Sequence, residues 1–512
     1  MSGSHDVILA IDAGTSGTRA ATVSVDGEVG CLHYEALTVE APRPGVVEQD
    51  ADVLLDRTLA ACRETIGRAR DEGRRIVALA LATQRATSVL WDRSTGRALA
   101  PAMVWQDTRY AAELDHLGAR WDERLMAEAG RPTGGRSPYY WAVRQIRESD
   151  AVAGAFSRGR LGFGTVDTWL LWQLTAGRTY VTTPTNATSA GAYVLAGHRY
   201  CTDWLEAVAF PADLLPELRQ DADDLGRTDP ALLGIDVPIL ASLGDQHAGA
   251  IGLGCLHRGQ AMCIHGTGSF VDLITGPDRP MRPGLHRGTT AMCARRQDGT
   301  THYAVESFVP TTGSALAWLC DRLGWFEDAA ALCRAASEAA DTGGVAFLPA
   351  LTGMRVPAMQ PKARASLSGL SMATSRAQVA RAVLEGIAHS VATCVEADEA
   401  VAGVAVDELI VGGGLSGSDD LLQMQADLAG VPIRRKRDTA RASLRGAAFL
   451  AGSSGLMWGG IPVLKPTEGG DEVFAPRLDR QTRDAQRALW HARVRAELNH
   501  ADLCGQMEPS PT

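Results

Sequence analysis

Lysine is almost absent from this chain. Of 50 basic residues only Lys362, Lys436 and Lys465 are lysine, and the first 361 residues contain none. The dipeptide Gly-Lys never occurs, which excludes a P-loop, because there the lysine of G-K-[ST] must reach the terminal phosphates. Any phosphate chemistry in the N-terminal half must use arginine or backbone amides. No serine has glycine both two residues before and two after it, and H-E-x-x-H is missing, so the signatures of elbow-type serine hydrolases and of zincins are lacking. The ten cysteines include no C-x-x-C pair, which argues against a zinc site or disulfide scaffold and for free thiols in a reducing compartment. No apolar run approaches the ~18–20 residues that span a bilayer. The opening MSGSHDVILAID lacks a basic n-region, an apolar h-region and a cleavage site, so a cytoplasmic protein is expected. Positive charge is also in deficit. A net charge of −10 gives no electrostatic case for nucleic acid or an anionic membrane as partner, and leaves a small molecule as the expected ligand.

What is present is a long α/β pattern. The 512 residues suggest two to four domains at roughly 100–200 residues each. Strand-like Val7–Ile11, Arg19–Val25 and Val29–Thr38 open the chain as hairpins, followed by a helix near 51–72 and an apolar strand at Ile76–Ala82. Strand–helix alternation returns at 164–174 and 238–254. Two segments resemble each other: Ile11-Asp12-Ala13-Gly14-Thr15-Ser16 and Ile264-His265-Gly266-Thr267-Gly268-Ser269, their Gly-Thr pairs 252 residues apart. Each links two strands, and repetition at half the chain length suggests two related halves. A Gly-Thr turn lets the backbone approach an anion and offers N–H and hydroxyl donors, although an ordinary hairpin turn has the same composition. Between them lies Gly244-Asp245-Gln246-His247, where Asp245 reads either as a helix cap or as the base that a phosphoryl acceptor needs. One G-x-G-x-x-G, Gly412 to Gly417, follows a strand and precedes a helix. The arginines after Val431-Pro432-Ile433 allow an NADP reading, but a generic nucleotide turn suits it better.

These motifs together resemble the FGGY family of carbohydrate kinases, and within it the glycerol kinases. The pieces run in order: Asp12 to Arg19, Thr83-Gln84-Arg85, Val104 to Arg109, Gly244-Asp245-Gln246, Gly266 to Phe270, Gly343 to Ala350, Ala365 to Leu370 with Gln378 to Glu385, and Gly413-Gly414. The resemblance implies an α/β protein with two RNase-H-like domains of the actin-like ATPase type flanking a catalytic cleft. Residues 1–251 would bind mainly the substrate and residues 252–512 mainly ATP. It implies ATP-dependent phosphorylation of a primary hydroxyl of a small polyol or sugar, with ATP and Mg²⁺, and a homodimer or homotetramer. Carried over residue by residue, Asp245 is the general base and Asp12 the Mg²⁺ residue. Arg85, Trp105, Tyr139, Asp245, Gln246 and Phe270 surround the acceptor. Thr15, Ser16, Arg19, Gly266, Thr267, Gly313, Gly414 and Ser418 contact ATP.

Three departures stand out. Glycerol kinases follow the matching arginine with glutamate, and here Ala86 follows Arg85. A buried hydroxyl left unpaired by that loss would cost about 1–3 kcal/mol, so a tetritol, pentitol or ketopentose becomes an alternative acceptor. Ser137-Pro138-Tyr139-Tyr140-Trp141 lacks the family's small-residue and lysine pattern, and Arg445-Gly446-Ala447-Ala448 replaces leucine-glycine-alanine-alanine. A non-catalytic, nucleotide-gated actin-like protein is the alternative of a different class.

Overall fold

The computed structural model describes residues 5–280, 288–436, 438–463 and 470–507, with side chains described to residue 503. In the first half the strands that build the main sheet are β1 (Asp6–Ala13), β2 (Gly17–Ser24) and β3 (Val29–Ala36), then, after helix α1 (Ala51–Asp71), β4 (Arg75–Thr83). Helix α2 (Pro138–Glu148) packs Tyr139, Trp141 and Val143 into a separate cluster with Phe163 and Phe210, and β5 (Ile239–Gly244) runs directly into helix α3 (Asp245–Leu253). The sheet order is β5-β4-β1-β2-β3, with the β1–β2–β3 meander antiparallel and β1, β4 and β5 parallel.

The second half repeats this plan. Its strands are β6 (Gln260–His265), β7 (Ser269–Gly276), β8 (Thr290–Gln297) and β9 (Thr300–Val309). Helix α4 (Gly313–Asp321) and the long helix α5 (Arg376–Ala402) precede β10 (Glu408–Gly413), helix α6 (Asp419–Ala429), β11 (Ile433–Arg435), helix α7 (Ala442–Gly452) and β12 (Glu472–Phe474). The order β8-β9-β7-β6-β10-β11-β12 contains the run β9-β7-β6-β10-β11, antiparallel through β6 and parallel beyond it, as in the first sheet.

β1 is buried along its whole length, so both faces of its sheet must be covered. Alternation sorts its side chains. Leu9 and Ile11 pack with Leu54, Ala61 and Cys62 of α1, whereas Ile8 and Ala10 pack with Leu444, Ala447 and Ala448 of α7. α1 forms here because Asp50 caps it, accepting from the N–H groups of Asp52 and Val53, and Arg68 and Arg70 occupy its last turn. α5 starts at a capping box of Ser375 and Gln378 and lays Val391, Cys394 and Val395 against Val271, Leu273 and Val411.

α3 and α7 lie back to back between the two sheets. A Cβ on Gly252 would stand 1.9 Å from the Ala442 carbonyl oxygen, and one on Gly446 1.8 Å from that of Ala248. Only glycine permits this approach. Residue 251 lies inside α3, and α7, from the second half of the chain, covers the first sheet. Arg445 has a place in this arrangement: its guanidinium donates to the Gly27 carbonyl in the β2–β3 turn and pairs with Asp438 at 2.7 Å.

Candidate active site

Both Gly-Thr turns sit at strand ends, β1 to β2 and β6 to β7. In the first, register places Asp12 opposite Arg19, and Arg19 donates to one Asp12 carboxylate oxygen at 2.8 Å. The Ser443 hydroxyl donates to the same oxygen at 2.6 Å. The other oxygen of Asp12 has no hydrogen-bond partner among the described residues. Arg19 also donates to the Ala440 carbonyl, so the segment before α7 is tied to the first turn. That segment also packs on β10, the strand paired with β6 up to the second turn: a Cβ on Gly412 would lie 2.9 Å from Thr439, and Gly413 pairs with His265. Thr312 and Ser314 donate backbone N–H bonds to the Thr267 carbonyl, and a Cβ on Gly313 would stand 2.4 Å from the Gly266 carbonyl oxygen. The N-terminus of α4 is thereby pressed onto the second turn. Thr267 and Gly414 are exposed there, with open space at Gly414, and Ser418 caps α6.

A cavity of about 390 Å³ opens between the sheets, walled by residues of both halves. Register explains one wall. β7 and β9 pair Phe270 with Phe308 and Asp272 with Glu306, and residues two apart share a face. The two phenylalanine rings stack at 4.9 Å, and Phe270, Phe308 and Glu306 all line the cavity. Opposite them, Gln84-Arg85 follow directly on β4, and Arg85 crosses to Glu306 at 2.6 Å while its Nε stands 3.7 Å from Asp245. The half-buried Trp105 donates its ring N–H to the Thr15 hydroxyl at 3.0 Å, and that hydroxyl donates to Gln84. Thr15 thus positions the Trp105 ring with its side chain.

Asp245 is the first residue of α3. The cap position belongs to Gly244, and among the described residues the Asp245 carboxylate accepts only the adjacent Gln246 N–H, at 2.8 Å. Capping is therefore not its role. Its side chain keeps 31% of its surface accessible and lines the cavity. Burial pushes the Asp245 carboxyl up to about 6; Arg85 opposes this, while Asp12 and Glu306 add to it. Gln246 offers a buried side-chain oxygen with no partner among the described residues. Burial and Glu306 together hold Asp272 well above the usual carboxylate range.

The cavity brings together Thr15, Arg85, Trp105, Asp245, Gln246 and Phe270. Tyr139 is not with them, against the expectation from sequence. It is buried at 3% exposure, its ring centroid 5.5 Å from that of Phe163 and 5.1 Å from that of Phe210, because the first turn of α2 faces the core. Ser16, Arg19, Gly266, Thr267, Gly313, Gly414 and Ser418 lie outside the cavity lining, at the strand ends and helix starts described above. Ala86 is fully buried, with φ of 61°, and does not line the cavity. The carboxylate beside Arg85 comes instead from Glu306, more than 200 residues away, and Arg131, Arg136 and Arg355 line the same cavity. Sequence reasoning missed these four. The one signal was Ala86, which removed a carboxylate and so asked for another.

A duplicated sheet with an antiparallel meander followed by parallel strands, closing on a cleft at two Gly-Thr turns, defines the actin-like ATPase fold with RNase-H-like domains. Residues 7–252 match the family model described as the FGGY family of carbohydrate kinases, N-terminal domain, and residues 261–455 match its C-terminal domain. The glycerol kinase of Thermus brockianus is 37% identical over 495 residues, covering 95% of this chain and 97% of that protein. The glycerol kinase of Dechloromonas aromatica is 37% identical over 508 residues, covering 98% and 99%. A crystal structure of Plasmodium falciparum glycerol kinase with ADP superposes with a TM-score of 0.88 at 24% identity, covering 97% of this chain and 99% of that one. The chain belongs to the FGGY family of carbohydrate kinases. It is an ATP-dependent carbohydrate or polyol kinase that uses Mg²⁺.

The residues present suit that ion. Mg²⁺ keeps several waters and needs only one or two carboxylates beside nucleotide phosphates. Asp12 has one tethered oxygen and one without a partner, and among the described residues no cluster of three or more His, Cys, Asp or Glu side chains offers a cage. No helix among the described residues is long and apolar enough to cross a membrane.

Proposed function

We propose that this kinase phosphorylates a primary hydroxyl of a small polyol or sugar, with Asp245 as general base. The observation that carries the reading is the place of the Asp245 carboxylate, in the cavity lining at the head of α3, 3.7 Å from Arg85 and not used as a cap; burial lifts it to about 6. A base of that strength is ionised at neutral pH yet basic enough to accept a proton. In the step, the acceptor O–H proton passes to Asp245 as the oxygen bonds to the γ-phosphorus. The bond from that phosphorus to the bridging oxygen breaks, and ADP leaves. Arg85 and Gln246 bond the acceptor hydroxyls, and Trp105 and Phe270 give apolar faces to its carbons. Thr15, Ser16 and Arg19 on one side, with Gly266, Thr267, Gly313, Gly414 and Ser418 on the other, contact ATP, and Asp12 holds Mg²⁺, which neutralises phosphate charge when bound. Closure of residues 1–251 on residues 252–512 excludes water and limits ATP hydrolysis. The loss of a glutamate at Ala86 favours a second reading of the acceptor as a tetritol, pentitol or ketopentose. Free thiols at all nine described cysteines support a cytoplasmic enzyme.

An ADP-release assay across glycerol, tetritols, pentitols and ketopentoses, with the phosphorylated product identified by mass, tests the reading. Asp245→Asn should lower kcat by roughly 10²–10⁴-fold. Undiminished transfer by that variant would remove Asp245 from the chemistry.

A further inference from the structure

The cavity holds more positive charge than its own carboxylates satisfy. Of its acids, Asp107 is 1% exposed and spent on a bidentate pair with Arg109 and on the Val47 N–H. Glu306 is spent on Arg85, and Asp245 faces Arg85 as well. Arg131, Arg136 and Arg355 remain, and among the described residues none has a carboxylate within ion-pair distance. Residues 281–287, next to Gly288, contain no Asp or Glu.

Each of the three is held by protein carbonyls, which fixes its position without neutralising it. Arg131 donates to the Ser189 carbonyl and Arg136 to that of Trp105. Arg355 donates to the Gly288 carbonyl at 2.9 Å and lies over the Phe308 ring at 5.1 Å. The Nε of Arg136 is buried without a partner among the described residues. The guanidinium groups are near enough to disfavour one another's charge: burial and then neighbouring arginines push Arg136 down to about 9 and Arg131 down to about 10. Buried charges in folded proteins are paired, and guanidinium forks match carboxylates in shape. At Ala86 the chain has dropped the negative side chain that glycerol kinases carry beside the matching arginine.

Resting on the kinase reading above, we infer that the acceptor is an anionic polyol, a polyhydroxy acid of the aldonate class. Its carboxylate is bound by Arg131, Arg136 and Arg355, and its far hydroxyl end is presented to Asp245. The transfer step is unchanged: the hydroxyl proton goes to Asp245, phosphorus–oxygen cleavage releases ADP, and the product is a phosphorylated acid.

The test is an ADP-release assay on the full-length enzyme with Mg²⁺ and ATP, comparing tetronates, pentonates and hexonates with the matching neutral polyols and with sugar phosphates. Product mass and calorimetric binding of each acid accompany it. The acids should exceed their neutral counterparts in kcat/KM by about 10²-fold or more. Arg355→Met and Arg131→Met, each checked for an unchanged melting temperature, should raise KM for the acid at least about 10-fold and leave KM for ATP within about twofold. Arg355→Lys should recover part of the loss. Neutral polyols used as well as the acids would overturn this inference and leave the kinase reading standing, and so would a preference for sugar phosphates. A rise in the ATP KM of the arginine variants would assign the three side chains to the triphosphate and overturn it too. ADP release with no acceptor and no binding of the acids would overturn both readings.

Discussion

In the mechanism proposed above a single carboxylate, Asp245, takes the acceptor proton, and its surroundings then set the pH at which transfer runs. Burial raises its carboxyl to about 6 and Arg85 holds it from rising further. A base must be unprotonated to act, so kcat/KM should be level above pH 6 and fall tenfold per pH unit below it. Removing the Arg85 guanidinium removes the opposing influence. In Arg85→Met the acidic limb should therefore move to higher pH, beyond any loss of acceptor affinity, and a limb that stays at its wild-type position would show that Arg85 does not tune Asp245. Individual residues were legible to the extent that their neighbours in sequence announced them. Asp245 follows a strand and a glycine, and Arg85 stands in the Thr83-Gln84-Arg85 piece that resembles the family. Arg131, Arg136 and Arg355 are single arginines in a chain where all but three basic residues are arginine, so nothing local marks them. Tyr139 shows the opposite error. Resemblance carries it over although its stretch lacks the family's pattern, and which way the first turn of α2 faces is decided by packing against Phe163 and Phe210.

At the scale of elements, the site depends on how closely α3 and α7 approach. α3 begins with Asp245, and α7 carries Ser443, which bonds Asp12 at 2.6 Å. The glycines at their crossing hold Asp245 and the Ser443–Asp12 bond at a fixed separation. A methyl on Gly446 would stand 1.8 Å from the Ala248 carbonyl oxygen, a backbone atom that no rotamer change can move. Gly446→Ala should therefore separate the helices and cost about 1–3 kcal/mol, seen as a lower midpoint in thermal unfolding, with kcat reduced because Ser443 shifts from Asp12. An unchanged midpoint would mean that the helices are not held at this distance in solution. The hairpins and the Gly-Thr turns were readable because alternation and turn chemistry are local. The α3–α7 crossing was not, since it joins segments nearly 200 residues apart, and Arg445 looked anomalous until its bonds to Gly27 and Asp438 were seen.

At the scale of the whole molecule, the repeat of two sheets suggests two separable halves, but the packing binds them together. The face of the first sheet bearing Ile8, Ala10, Ala78, Ala80 and Ala82 is covered by Leu444, Ala447, Ala448 and Leu450 of α7. Trp458 adds a bond to the Val25 carbonyl at 2.9 Å, and Arg19 one to Ala440 at 2.7 Å. A chain ending at residue 251 would keep every strand of the first sheet yet expose that apolar face. Apolar burial is the main favourable contribution to folding, and an uncovered face of this kind recruits other apolar surface. Residues 1–251 produced alone should therefore bind a hydrophobic dye and lack a cooperative thermal transition. The intact chain should unfold in one calorimetric transition whose midpoint rises with ATP and Mg²⁺, because ligand that binds only the folded state stabilises every part coupled to the site. A sharp independent transition in the 1–251 segment, or two resolved transitions in the intact chain with only one shifted by nucleotide, would show that α7 covers the first sheet without holding it together.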